Sequence, residues 1–414
     1  MNYLWQLPAA RWCWRRHRWL LVGLWVLVQA AFLLRFHGPH LANDSRRYLD
    51  YAANLVAHHG HYQIEAQVPA TTFENNGEAN FQYEHNQRYL LYPWFQALWL
   101  GLGLGAWGIV GGQLVLGALA AAALYQAVRQ LGQGHRGPAA LATGLFVVWP
   151  DIQQFTCYLL TESLFTSLSV LAGWALVRLQ LGGGWRWGRL LGLLLLAALV
   201  RPNGFVVAGA AAVAGLAALY GSRRRLFWGL VAAGLLAVPL LLLALNHFLI
   251  TYYIVETYGR GELMFGSTAW AIQPSQPLVL PPPSVTGQVV RIGYFATHNP
   301  GFLLRLMLGK LLVFFSSIKP YYSLSHKVLS VLVLWPCYWL AVRGACLRQV
   351  WLPGRVFLAA VPLLQAAVVM LTVDDYDVRF LAPVLPFVFA LAALAVGDWL
   401  ARRPRPQPAA GPRG

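Results

Sequence analysis

Four charged side chains lie in or beside apolar sequence, and their types suit proton transfer and phosphate binding. Asp44 sits in Asn43-Asp44-Ser45-Arg46-Arg47-Tyr48-Leu49-Asp50-Tyr51, and Glu162 in Leu160-Thr161-Glu162-Ser163-Leu164-Phe165. Arg201 interrupts Val200-Arg201-Pro202-Asn203-Gly204, and Arg88 begins Arg88-Tyr89-Leu90-Leu91-Tyr92-Pro93-Trp94. A carboxylate can take the proton of a hydroxyl nucleophile, and a guanidinium can hold a phosphate through two parallel hydrogen bonds. Each residue also admits a purely structural reading. Asp44 could be the N-cap of the helix it opens, Glu162 a helix-start carboxylate, Arg201 the partner of Glu162 or Asp151, and Arg88 an interfacial anchor. Asp374, Asp375, Asp377 and Arg379 gather just before Pro383 and Pro386 and read equally as a solvated turn or as functional groups. His58, His59 and His61, with His37, His40 and His85 in the same segment, could contribute to a metal site. No carboxylate stands at a recognised ligand spacing from them, so no metal ligand is assigned, and a divalent metal stays open as a cofactor.

The elements that must position these groups are membrane-spanning helices. The chain of 414 residues is 58% hydrophobic and 11% charged, more apolar surface than a soluble globule can hide. Ten spans are expected, at 19–36, 108–128, 138–150, 160–178, 189–205, 205–220, 227–250, 328–343, 356–373 and 380–400. The apolar segments 89–106 and 301–317 are read as helices lying at the outer interface, because counting either alone inverts everything after it. With a cytoplasmic N-terminus, the clusters around Arg16, Arg129, Arg178, Arg224, Arg343 and the C-terminal tail all fall inside, as the positive-inside rule requires. All but one of the 14 acids then fall outside. The fold expected is an all-α polytopic membrane protein of about ten transmembrane helices, with interfacial helices in the first and fourth outer loops. It forms one domain over residues 1–400, with long outer loops at 37–88 and 251–300, the second carrying Pro281, Pro282 and Pro283 and read as partly a mobile flap. A Pro/Arg-rich tail at 401–414 reads as disordered and cytoplasmic. The net charge of +17 belongs to the loops between spans, which argues against nucleic acid as a partner. Cys13, Cys157, Cys337 and Cys346 have no paired spacing and indicate neither a disulfide framework nor zinc. After Asp44, the spacing of Tyr48, Tyr51, Leu55 and Val56 predicts a short amphipathic helix at the membrane surface.

Taken in order, these segments resemble the multi-spanning glycosyltransferases of the C-type (GT-C) fold, near the branch of protein O-mannosyltransferases and lipid A aminoarabinose transferases. The pieces are Asp44 to Leu55, Arg88 to Trp94, Thr161 to Phe165, Arg201 to Gly204, and Tyr376-Asp377-Val378-Arg379-Phe380 with Pro383 and Pro386. The resemblance implies a polyprenyl-phosphate-sugar donor and inverting transfer to a lipid, glycan or protein acceptor on the extracytoplasmic face of a bacterial cell membrane. It implies Asp44 as general base, Glu162 as the acid that positions acceptor or base, and Arg88 and Arg201 as clamps on the departing phosphate. Tyr48, Asp151, Asp375, Tyr376 and Arg379 are the further candidates for substrate contact. The alternative is a polytopic lipid or solute transporter or flippase. Such proteins tend to place ionisable groups at the bilayer midplane in repeated halves, and no internal repeat is evident here.

Overall fold

The computed structural model describes residues 8–61, 89–249, 253–265, 270–372 and 377–402. Arg88, Asp374, Asp375, Tyr376 and the tail beyond Arg402 lie outside the described residues. The architecture is all-helical, and the described residues form no strand beyond two isolated bridges.

The chain opens with α1 (Pro8–Phe36), followed by the surface helix α2 (Asn43–Ala57). The segment expected as one interfacial helix at 89–106 is divided. It forms α3 (Leu91–Gly101) and then turns into the long helix α4 (Gly105–Leu131). Gly103 and Gly105, at φ +73° and +56°, take backbone conformations that other residues resist, and this makes the turn. Next come α5 (Arg136–Val148), the one-turn α6 (Pro150–Gln153), α7 (Thr161–Arg178), α8 (Trp185–Val200), α9 (Phe205–Ser222) and α10 (Arg224–Leu249). The second half holds α11 (Ile254–Gly259), α12 (Gln288–His298), α13 (Pro300–Ser316), α14 (Leu324–Leu329), α15 (Trp335–Ala345), α16 (Leu352–Leu371) and α17 (Leu385–Ala401).

Eight helical stretches among the described residues are long and apolar enough to cross a membrane: 16–36, 105–131, 161–181, 202–222, 224–247, 324–345, 352–371 and 382–401. Each matches an expected span to within a few residues. The other two expected spans correspond to α5 and α8, of 13 and 16 residues. At 1.5 Å per residue these reach only about 20 and 24 Å. Proline sets both limits: Pro150 follows α5 and Pro202 follows α8. The long outer segment expected as partly a flap is folded where it is described. Ile254, Val255, Tyr258, Phe295, Phe302 and Leu306 form a small core of their own, and Glu256 pairs with Arg291 at 2.7 Å. Helices α12 and α13 meet at 109°.

Burial grades the helices by position. In α7 and α17, two-thirds of the apolar stretch is buried inside the protein, whereas the stretch in α10 is not buried at all and that in α1 barely so. The outer helices expose rows of Leu and Val, such as Leu235, Leu236, Leu240 and Leu241, a surface compatible with hydrocarbon rather than water. Close approach in the centre depends on small residues. A Cβ at Gly344 of α15 would stand 2.1 Å from the carbonyl oxygen of Leu391 in α17. Between α14 and α15 the helix widens into a π turn over Ser330–Leu334. Pro336 follows directly, and its ring cannot accept the carbonyl four residues back, which accounts for the widening.

Candidate functional site

The site is assembled where α1 ends and α7 begins. His40, just past α1, donates its backbone N–H to the Cys157 carbonyl at 2.8 Å, and Leu159 N–H donates to the His40 carbonyl at 3.0 Å. This two-bond clip fixes the start of α2 beside the start of α7. Buried glutamines secure the same loop from below. Gln113 of α4 donates to the carbonyls of Thr156 and Tyr158 at 3.0 and 2.9 Å and accepts from the Tyr92 hydroxyl. Gln29 of α1 donates to Gln153. Buried amides satisfied on both ends define position strongly, because an unmade bond there is costly.

Asp44 then sits in the first turn of α2, whose N-cap is Ala42. Its carboxylate is therefore not the cap. The reach back to the N-cap backbone is made by Ser45, whose hydroxyl accepts from Ala42 N–H at 2.9 Å. Asp44 Oδ2 instead accepts from Arg379 Nη1 at 2.7 Å, 335 residues along the chain. The Arg379 Nε donates to Glu162 Oε1, and Arg201 Nη1 donates to the same oxygen at 2.8 Å. Four alternating charges thus form one continuous chain: Asp44, Arg379, Glu162, Arg201. Exposure decreases along it, from 30% for the Asp44 side chain through 16% for Arg379 to 0% for Glu162 and 3% for Arg201. Arg47 approaches the other Asp44 oxygen at 4.0 Å.

The local sequence explains how each group arrives. Arg201 must be extended because a proline follows it, and it is, at φ −145° and ψ 148°. The 3-10 turn Pro202–Gly204 then folds tightly on α8: a Cβ at Gly204 would fall 2.3 Å from the Ala197 carbonyl oxygen. The Arg201 guanidinium lies between two aromatic rings, 5.8 Å from the centroid of Phe165 and 5.5 Å from that of Phe380. Arg379 is held by its neighbours in the turn before α17. The Asp377 carboxylate accepts from Val378 N–H at 2.8 Å, and Lys319 donates to the Asp377 carbonyl at 3.1 Å.

Of the two arginines expected at a phosphate, Arg88 lies outside the described residues and Arg201 is instead buried against Glu162, the structural pairing that its position also allowed. Tyr48 does join the site. It is buried, packed on Tyr89 and Tyr92 at 5.3 and 5.4 Å between centroids. Burial pushes its hydroxyl well above the usual tyrosine range, with the charges of Tyr89 and Asp44 adding to the effect, so it remains a proton donor.

Asp151 is placed in a neighbouring cluster. Both its oxygens lie 3.1 Å from His326 Nε2, and Trp149 Nε1 donates to one of them at 3.1 Å. The Tyr322 ring stands edge-on to His326 at 4.3 Å, and its hydroxyl points to Asp377 at 3.5 Å. Asp377 links the two clusters, since Arg379 is two residues away. Sequence alone did not single out Lys310, in the segment expected at the interface, or Lys319 and His326, in the short stretch between that segment and the span 328–343. Lys310 is fully buried, donates to the Thr372 carbonyl and lies over the Tyr258 ring at 4.8 Å. A lysine within Met307-Leu308-Gly309-Lys310-Leu311-Leu312 was a visible signal; His326 had none in its local sequence.

Among the described residues no group of three or more His, Cys, Asp or Glu is placed to hold a metal ion. Of the histidines weighed for that role, His85 lies outside the described residues, His40 packs against Tyr158 at 4.5 Å, and His58 bonds the Asn54 carbonyl of its own helix. The fold and this site define an all-helical integral membrane protein with a buried chain of ion pairs, fed by four separate segments, at one end of its bundle. Compared with family models, with curated proteins and with solved structures, the chain finds no match in any of the three.

Proposed function

We propose that this protein is a membrane glycosyltransferase that moves a sugar from a polyprenyl-phosphate donor to an acceptor hydroxyl on the extracytoplasmic face. In this reading the chain crosses the membrane ten times with both termini in the cytoplasm, and α5 and α8 are short spans. Asp44 takes the proton of the acceptor hydroxyl. The hydroxyl oxygen forms a bond to the anomeric carbon from the face opposite the phosphate, and the carbon–oxygen bond to phosphate breaks with its electron pair. The leaving polyprenyl phosphate gains a second negative charge, so a fixed cation beside it lowers the barrier. Arg379 suits that role better than Arg201, being the more exposed guanidinium and already in contact with Asp44. Arg201 holds Glu162, and Glu162 in turn aims Arg379. Arg88, by resemblance, is a further phosphate contact, as Asp375 and Tyr376 are for substrate.

The observation that carries this reading is that one guanidinium, Arg379, is shared between a partly exposed carboxylate and a fully buried one. A purely structural pair needs no solvent-facing member, whereas a proton acceptor does. The test is mass spectrometry of lipid-linked sugars and envelope glycans in cells producing either wild-type or Asp44→Asn protein at equal membrane levels. The variant should accumulate the donor and lack one glycan, with a loss of activity of about 10²-fold or more. Wild-type glycans in the Asp44→Asn cells would remove the assignment.

A further inference from the structure

The end of the bundle opposite Asp44 carries a second built site that the transfer chemistry does not use. Between α1, α4, α5 and α7 lies a cavity of about 750 Å³. Arg18, Arg129 and Arg178 stand at its mouth, and Leu21, Ala118 and Val147 line its shaft. Arg129 and Ala118 are eleven residues apart on one helix, so the shaft runs about 16 Å into the bundle.

Two features separate this cavity from a packing fault. The first is charge without compensation. None of the three arginines forms an ion pair among the described residues: Arg18 lies over the Tyr125 ring at 5.3 Å, and Arg129 Nε reaches only the Gly134 carbonyl at 3.3 Å. Three cations converging without an anion repel one another and invite one. The second is a mixed lining: Trp25, Gln126, Gln130 and Thr143 border the same space as Leu21, Ala118 and Val147, which suits an occupant with both polar and apolar parts.

The ligand must combine an anionic head with an apolar tail, and it must come from the bilayer. The stretch 16–36 of α1, one wall of the cavity, is only 6% buried inside the protein, so the cavity lies at the periphery of the bundle. We propose that the cavity binds one anionic phospholipid, its phosphate held by Arg18, Arg129 and Arg178 and one acyl chain lying along the shaft. Trp25 and Thr143 border the ester region. The proposal is independent of the glycosyltransferase reading, since it concerns the opposite end of the bundle.

The test uses the full chain purified in detergent, stripped of lipid, and titrated with dioleoyl phosphatidylglycerol or dioleoyl phosphatidylcholine under native mass spectrometry. Wild type should retain the anionic lipid at a concentration at least about ten-fold lower than the zwitterionic one, equivalent to about 1.4 kcal/mol. The double variant Arg129→Gln/Arg178→Gln should lose that preference, whereas Arg225→Gln, an exposed charge on α10 away from the cavity, should keep it. Ala118→Trp fills the shaft without touching the cations and should weaken both lipids. Elution profile and helical content show whether each variant is folded. Equal retention of the two lipids by wild type, or an undiminished preference in a folded double variant, would overturn the proposal.

Discussion

Glu162 is the residue on which the site's energetics turn. Its side chain is inaccessible to solvent and accepts from two guanidinium groups. A buried pair of this kind adds little net stability relative to apolar packing, but removing one member leaves the other charge without compensation. Glu162→Gln should therefore lower the unfolding free energy by about 3 kcal/mol or more, because Arg201 stays buried with no anion. Thermal unfolding in detergent, read by tryptophan fluorescence, checks this; a melting temperature equal to wild type would show that Arg201 finds another partner. Asp44 is different. At 30% exposure its pairing with Arg379 is partly screened, so Asp44→Asn should cost activity far more than stability. That contrast between a fully buried carboxylate and a partly exposed one was not legible in the sequence. Asp44 and Glu162 both read there as acids at a membrane surface, and only the exposure gradient along the ion-paired chain separates them. Arg379 was likewise one of several charges in a short acidic turn, and its central place depends on contacts across more than 200 residues.

At the scale of elements, the legible features were those governed by local physics. Long apolar runs marked the eight stretches long and apolar enough to cross a membrane, and the spacing after Asp44 gave α2; the expected span 189–205 ran through Arg201, where Pro202 instead ends the helix. The break between α3 and α4 was missed because Leu102 and Leu104 keep the segment apolar through the glycines that turn it. The small folded unit around Tyr258 and Phe295 was missed because its partners come from either side of a proline-rich stretch. The tight turn after Arg201 is testable directly. Gly204→Ala forces its new methyl onto the Ala197 carbonyl, so the turn must open and Arg201 must shift away from Glu162. The expected outcome is a loss of folded yield comparable to that of Glu162→Gln. Ser45→Ala, which removes only a helix-start bond, should cost about 1 kcal/mol. If Gly204→Ala proves milder than Ser45→Ala, the turn does not hold Arg201 in place.

For the whole molecule, charged groups gather in different ways at its two ends. Asp44, Glu162, Arg201 and Arg379 meet at one end, and the uncompensated arginines Arg18, Arg129 and Arg178 surround a cavity at the other. These arginines belong to the charge pattern that sets the expected orientation. It predicts that Ser222→Cys, at the end of α9, is shielded in intact cells from a membrane-impermeant thiol reagent, while Gln276→Cys in the outer segment is labelled, both in a chain with Cys346→Ser. Labelling of Ser222→Cys from outside would reverse the orientation and place the carboxylate site in the cytoplasm.

In the proposed reaction a lipid-borne phosphate meets Arg379 beside Asp44. This contact is tested most directly by a cryo-electron microscopy structure of the protein in a lipid nanodisc with added polyprenyl phosphate. The expected result is a phosphate within hydrogen-bond distance of the Arg379 guanidinium, on the side facing Asp44, with Glu162 still bridging Arg379 and Arg201. A polyprenyl phosphate bound elsewhere, with Arg379 unchanged and closed against Asp44, would contradict it.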